Sequence, residues 1–144
     1  MDNSAILELA KAWPALSTLR LGSNGSRAVS RITLRGLDHI IKHCRDLRSL
    51  SIVINAQDPP TVLDDMPTCC NKRITTINFA DSLLSNPSDV VAYLSVLFPG
   101  LVEIQTHRNL DMETKDLWRQ VTTMIPAMRR AHEARSRLLE LESS

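Results

Sequence analysis

Two histidines and a cysteine, His39, His43 and Cys44, lie close enough in the sequence to suggest a metal site. Residues four apart on a helix share one face, and imidazole and thiolate are ligands that zinc prefers. The apolar residues around them, however, recur at helical spacing on the side that includes Cys44. We therefore expect Cys44 to pack inward and the histidines to lie beside the apolar stripe. Because the spacing supplies no third ligand, we expect no metal here.

The adjacent pair Cys69 and Cys70 could in principle carry redox chemistry or bind a metal. The chain has 3 cysteines, which is an odd number, and none of them forms a C-x-x-C spacing. Neither a disulfide framework nor a zinc knuckle is therefore indicated. A reactive thiol also needs a lowered pKa, and no neighbouring residue obviously supplies one. We expect free thiols without a redox role.

The sequence contains no recognisable catalytic motif. It has no nucleophile elbow (G-x-S-x-G), no Walker loop and no H-E-x-x-H pair, and nothing arranges its serine, histidine and aspartate residues. The glycosylation sequon at Asn24 is more simply a turn, because the N-terminus lacks the basic start and apolar run of a secretion signal. We expect a protein that is not an enzyme and that holds no cofactor and no metal.

The charge balance argues against two classes of partner. The sequence has 17 lysines and arginines against 16 aspartates and glutamates, which is too even for a nucleic-acid-binding or polybasic membrane-binding protein. Charges of both signs interleave near the C-terminus: Arg129, Arg130, Glu133, Arg135, Arg137, Glu140 and Glu142. Such alternation is typical of a solvated helix face. We expect an intracellular protein, in the cytoplasm or nucleus, that is a monomer and binds neither nucleic acid nor membrane.

A leucine-rich pattern that recurs four times is the most informative feature of the sequence. Its four copies begin at Leu16, Leu47, Ile74 and Leu101, in steps of 31, 27 and 27 residues. The copies read L-x-x-L-x-L, L-x-x-L-x-I-x-x-N, I-x-x-I-x-F and L-x-x-I-x-T. Steps of this size lie at or just above the range of leucine-rich repeats, roughly 20–29 residues.

Each copy predicts a short strand, because its side chains alternate between apolar and polar. Four parallel strands are predicted, near residues 17–22, 49–54, 75–79 and 102–106. Helical spacing of apolar residues predicts four helices, over about 4–12, 34–44, 88–97 and 112–140. Pro126 should kink or divide the last one. The third copy has a proline-rich loop over 56–73 in place of a helix, and residues 23–26 indicate a turn.

These elements predict an α/β fold, a short irregular leucine-rich-repeat solenoid with helices on its convex side. The repeats extend over residues 1–110, and 111–144 form a C-terminal helix that covers the open end of the same structural unit. The strands supply the predicted core: Leu16, Leu19, Leu21, Leu47, Leu50, Ile52, Ile74, Ile77, Phe79, Leu101 and Ile104. In three copies a bulky apolar residue lies three places before the first leucine and ends an amphipathic helical stretch: Trp13, Cys44 and Phe98.

The residues between the buried strand positions form the candidate partner-binding surface. There are eight: Thr18, Arg20, Ser49, Ser51, Thr76, Asn78, Glu103 and Gln105. Parallel stacking should align them in two rows, Thr18–Ser49–Thr76–Glu103 and Arg20–Ser51–Asn78–Gln105. A plain solvated surface remains the alternative, because strand residues that face water are polar in any soluble protein. If the surface binds a protein, we expect Arg20 and Glu103 to anchor it.

Five segments share more than the repeat with a known family. They are W-P-x-L-x-x-L-x-L-G from Trp13, I-T-L-x-G-L from Ile32, H-C-x-x-L-R-S-L from His43, N-P-x-x-V-V-A-Y-L from Asn86 and F-P-x-L-x-x-I from Phe98. With Trp118 beyond them, they resemble the leucine-rich-repeat region of the F-box-like proteins of mushroom-forming fungi (basidiomycetes). The similarity extends over roughly residues 7–137.

This resemblance implies the substrate-recruiting part of a cullin-type ubiquitin ligase. The F-box that binds the Skp-type adaptor in that family has no counterpart in the sequence, so we expect a fragment, a truncated gene product or a member without that link. Two other interpretations stay open. One is a structural or oligomerising module that acts through the C-terminal helix, where Arg135 interrupts the apolar stripe between Leu117 and Leu141. The other, more distant, is a small hydrolase.

Overall fold

The computed structural model describes residues 2–21, 31–59, 67, 69–108 and 110–142. Within these residues there are four helices: α1 (Asn3–Ala12), α2 (Leu34–His43), α3 (Pro87–Leu97) and α4 (Met112–Glu142). There are six strands: β1 (Thr18–Leu21), β2 (Ser49–Ile52), β3 (Asn55–Ala56), β4 (Thr76–Asn78), β5 (Leu83–Leu84) and β6 (Glu103–Gln105). The turn expected over 23–26, with its sequon at Asn24, lies outside the described residues.

Four strands form one parallel sheet in the order β1-β2-β4-β6. The register places Leu19 beside Leu50, Leu50 beside Ile77, and Ile77 beside Ile104. Equivalent apolar residues of the four copies therefore stack into one inward row. The prediction of an α/β protein with four parallel strands, adjacent in chain order, is confirmed.

A second set of backbone links joins the copies beyond the strands, and the sequence did not predict it. Strands β3 and β5 pair in parallel, and the backbone N–H of Asn55 donates to the carbonyl oxygen of Ile32 at 2.7 Å. Arg31 in turn bridges to Asp2, immediately before α1. Because successive copies are linked at two places along the chain, their stacking register is fixed twice.

One core cluster contains the inward side chains of the sheet together with apolar residues of all four helices. Most predicted core positions are buried, but Leu16, Leu21 and Ile104 are only partly buried. Leu21 belongs to β1 and Ile104 to β6, the two outer strands of the sheet. Strands at the ends of the stack have a neighbouring strand on one side only, so their side chains are covered less completely.

Trp13 falls on the same helical face as Ile6 and Ala10, which are fully buried, yet Trp13 is 59% exposed. Cys44, at the equivalent place in the next copy, is fully buried because the preceding copy covers it. Its sulfur lies 3.8 Å from the carbonyl oxygen of Ala10 and 3.5 Å from that of Trp13. Among the described residues, no earlier copy covers Trp13 in the same way.

The predicted break at Pro126 does not occur, since α4 runs without interruption for 31 residues. A proline inside a helix removes one backbone N–H and costs about 3 kcal/mol. Pro126 itself is exposed, whereas Trp118, Val121 and Ile125 are buried on the inner side of the helix. Burial of this apolar face on the rest of the core holds the part of α4 before the proline, and Met128, two residues after it, packs partly on the same core.

The stretch over 56–73, predicted as a loop, is only partly described, since residues 60–66 and 68 fall outside the structure's coverage. The described residues of this stretch contain no helix. Near its end, the buried side chain of Asn71 donates from Nδ2 to the carbonyl oxygen of Leu47 at 2.8 Å. Its Oδ1 accepts from the backbone N–H groups of Arg73 and Ile74. The backbone N–H of Asn71 donates to the carbonyl oxygen of Leu97, so Asn71 links the second, third and fourth copies.

Replacing Asn71 by aspartate should destabilise the protein by at least about 2 kcal/mol, because it removes the donor to the Leu47 carbonyl and buries a charge. The measurement is the free energy of unfolding in urea at pH 7. Asn55→Asp is the matched control, since the side-chain Oδ1 of Asn55 accepts a bond from the Gln57 N–H, which a carboxylate can also accept. The loss in Asn71→Asp should shrink as the pH falls, when the protonated carboxyl can donate again. Equal stability of the two variants would contradict this role.

Leu50→Ala should lower the free energy of unfolding by about 2–5 kcal/mol, since Leu50 is almost fully buried between β1 and β4 and the cavity cannot easily collapse. Leu16→Ala, at a partly buried position, should cost clearly less. Urea denaturation of both variants measures the difference. A smaller loss for Leu50→Ala than for Leu16→Ala would refute the central placement of Leu50.

Candidate functional site

The outer face of the four-stranded sheet carries all eight predicted site residues. The register pairs Arg20 with Ser51, Ser51 with Asn78, and Asn78 with Gln105, so one predicted row is continuous across the sheet. The other row follows the same register, with Thr18 beside Ser49 and Thr76 beside Glu103. We call these eight residues the sheet face. The structure brings them together as the spacing predicted.

Exposure varies across the sheet face. Five of its residues are exposed, on the outer strands and at the start of β2: Thr18, Arg20, Ser49, Glu103 and Gln105. The remaining three residues are half-buried towards the centre: Ser51, Thr76 and Asn78. A partner would therefore meet more side-chain surface at the two sides of the sheet than in the middle.

Asn78 also has a structural task that the sequence did not reveal. Its Oδ1 accepts a hydrogen bond from the backbone N–H of Ala80 at 2.8 Å. Ala80 has a backbone φ of 51°, in the left-handed region that residues with a Cβ avoid. The side chain of Asn78 thus supports a strained turn after β4, and a substitution there would disturb the fold as well as the surface.

The two charged residues of the sheet face lie at opposite edges of the sheet. Arg20 is on β1 and Glu103 on β6, with β2 and β4 between them. Three strand spacings of about 4.8 Å put the two strands about 14 Å apart, too far for a direct ion pair. The outer strands therefore present opposite charges, separated by neutral hydroxyl and amide groups. This pattern can orient a partner that carries complementary charges.

The surroundings of Cys44 and Cys69 disfavour the reactive thiolate form of both side chains. Burial raises the pKa of the Cys44 thiol above its ordinary value. Burial also raises the pKa of the Cys69 thiol, and the Asp38 carboxylate, 3.7 Å from its sulfur, raises it further. Arg45 and Lys42 oppose this shift but do not outweigh it. A raised pKa leaves little of the nucleophilic thiolate near neutral pH.

The histidines of α2 lie where the apolar stripe predicted. His39 and His43 are half-buried, beside the fully buried Leu37 and Ile40. Among the residues that the structure describes, no group of three or more His, Cys, Asp or Glu side chains is placed to hold a metal ion.

A groove beside α4 has a lining that sequence reasoning missed. It measures about 650 Å³, and four of its lining residues are charged: Lys72, Arg129, Glu133 and Arg137. The sequence pattern treated the arginines of α4 as a solvated face. Lys72 lies far from them in the chain. The packing of α4 against α3, together with the close approach of Lys72 to the turn after α3, brings the charges together, so no local sequence signal could have indicated the groove.

A scan against models of protein families gave no match, and a search among curated proteins found no matching protein. Within the described part of the chain, no helix combines the length and the apolar character needed to cross a lipid bilayer.

Asp38→Asn should make Cys69 react faster with iodoacetamide at neutral pH, because it removes the carboxylate that raises the thiol pKa. The pH at which the reaction rate reaches half its maximum should move down. The measurement uses a Cys70→Ser background, since Cys70 is exposed and adjacent. Cys44 is fully buried and should stay unmodified in the folded protein. An unchanged rate profile for Cys69 would contradict the influence of Asp38.

Proposed function

We propose that this protein is a non-catalytic protein-recognition domain, built as a short leucine-rich-repeat solenoid and covered at one end by α4. The support is the strand order β1-β2-β4-β6, which follows the four copies along the chain, and the alignment of their equivalent leucine and isoleucine positions. Trp118 of α4 stacks on Phe79 with ring centroids 4.8 Å apart and donates from Nε1 to the carbonyl oxygen of Ser82 at 2.9 Å. Such a terminal helix protects the apolar end of a stack.

The sheet face is the proposed recognition surface. The observation that carries this proposal is the alignment of eight polar side chains in two rows, with charge only on the outer strands. Repeat proteins bind partners on the extended surface that stacked strands create. Hydroxyl and amide groups in the middle can form directed hydrogen bonds, while Arg20 and Glu103 fix the orientation of the partner.

We further propose that the recognised partner is a substrate of a cullin-type ubiquitin ligase, with this domain as the receptor part of an F-box-type adaptor. The support is the similarity of five sequence segments to fungal F-box-like repeat proteins. Several residues that carry this similarity are buried in the core, including Leu50, Leu94 and Trp118.

An oligomerising module is the second candidate, and one observation favours it. The described side chains of α4 beyond Arg129 are mostly exposed, and Leu138 is 62% exposed. The inner side of the first half of α4, in contrast, is used within the chain, through Trp118, Val121 and Ile125. We therefore favour covering of the stack as the main task of α4, and self-association through its last turns as the alternative.

Charge reversal on the sheet face should weaken binding to a partner isolated by affinity capture. Arg20→Glu and Glu103→Lys should each reduce affinity by at least about tenfold, because each removes an anchor and adds a repulsion. Titration calorimetry with the purified partner measures the effect. The matched controls are Arg130→Glu and Glu8→Lys, exposed helix positions away from the sheet.

Thermal melts of all four variants verify folding, and light scattering gives the mass in solution. If Arg20→Glu and Glu103→Lys stay folded and bind the partner unchanged, the recognition surface lies elsewhere, and the stretch over 56–73 becomes the next region to test. A mass that doubles with concentration would favour the oligomerising module.

A further inference from the structure

The groove beside α4 is a second surface with a chemistry of its own. Its floor consists of Phe98, Leu101 and Ile125, at the end of α3, at the start of the fourth copy and on α4. It shares no residue with the sheet face. Any partner that it binds is therefore additional to the partner proposed for the sheet.

The walls of the groove are held in place by backbone contacts. A Cβ added to Gly100 would lie 2.8 Å from the carbonyl oxygen of Lys72, so the turn after α3 packs directly against the segment that carries Lys72. On α4, Nη2 of Arg129 donates to the carbonyl oxygen of Leu101 at 3.0 Å. These contacts fix the positions from which the charged side chains extend.

The groove has an excess of positive charge. Three cationic side chains line it, from Lys72, Arg129 and Arg137, against the single carboxylate of Glu133. The ion pairs found among the described residues lie elsewhere, between Arg73 and Asp46 and between Arg119 and Asp116. Arg129 uses one donor for the Leu101 carbonyl, and a guanidinium has five. The groove is therefore suited to a ligand with carboxylates.

The exposure of the lining residues favours a peptide over a small apolar molecule as the ligand of the groove. The floor residues are only 1%, 2% and 5% exposed, for Phe98, Leu101 and Ile125, so little of their surface is left to cover. Small-molecule sites bury most of their ligand against apolar walls. Here the exposed lining residues are mainly charged, with Pro99 as the exposed apolar one. A segment of chain lying across the groove can reach these residues without being enclosed.

We propose that this groove binds a short acidic segment of a partner protein. Its carboxylates pair with Lys72 and Arg137, and an aliphatic side chain packs on Pro99 and the half-buried Val96. Glu133 lies in the same lining and repels an acidic ligand, which limits affinity and favours segments whose charges avoid it.

The test uses the full chain and a fluorescein-labelled peptide, Gly-Asp-Leu-Glu-Asp-Gly, in fluorescence anisotropy at low salt. Its amide counterpart, Gly-Asn-Leu-Gln-Asn-Gly, should bind much more weakly. Lys72→Glu and Arg137→Glu should each weaken binding of the acidic peptide by about fivefold, because each removes an exposed ion pair and adds a repulsion. Glu133→Gln should strengthen it. All three residues are exposed, so the fold should survive each change.

Arg130→Glu is the matched control, since Arg130 is exposed on the same helix but does not line the groove. It changes the net charge by the same amount and should leave binding nearly unchanged. Four results would overturn the proposal: no binding of the acidic peptide, equal binding of the amide peptide, an equal loss in Arg130→Glu, or tighter binding of a thymidine oligonucleotide of the same charge. None of them bears on the sheet face, which is tested by its own variants.

Discussion

The pairing of buried polar groups in the third copy is the constraint on which the rest of the structure depends. The described part of this copy has no helix before its strand, so helix hydrogen bonds do not organise the chain there. Side chains do so instead. Asn71 pairs with Leu47 on one side and, through its backbone, with Leu97 on the other. The hydroxyl of Ser82 accepts from the backbone N–H of Ile54 and donates to the carbonyl oxygen of Phe79. Both residues are buried, so each lost bond would leave an unpaired group in the core.

The sequence predicts those features that depend on local periodicity. The four strands, their parallel order and the two polar rows follow from the leucine spacing, because side-chain direction alternates along a strand whatever surrounds it. Features that depend on neighbours were predicted less well. Trp13 and Cys44 occupy equivalent positions, yet only Cys44 is covered. The low helix propensity of proline predicted a break at Pro126, but the burial of Ile125 and Trp118 on the core outweighs the cost of the proline. The groove and the link through Asn71 join distant segments, and periodicity carries no information about such contacts.

The two proposed surfaces differ in how they would select a partner. The sheet face is neutral in the middle and oppositely charged at its sides, so it favours shape and directed hydrogen bonds over net charge. The groove is cationic, and its attraction weakens as salt screens exposed charges. A partner that bound both surfaces would bind the second one intramolecularly, once the first contact had formed. The effective concentration for this second contact is set by the length of chain between the partner's two binding segments. Two contacts that are each weak would then give a higher overall affinity than either contact alone.

The two tryptophans of the chain sit in opposite environments, and this gives the protein a built-in optical signal. Trp118 is buried against Phe79 at the junction of α4 with the sheet, while Trp13 is open to solvent. An indole in an apolar, water-free site emits at shorter wavelength than one in water, and dissolved iodide quenches only the one it can reach. With iodide suppressing Trp13, the remaining emission reports whether α4 is docked. Detachment of that helix could thus be followed separately from unfolding of the sheet, without attaching any dye.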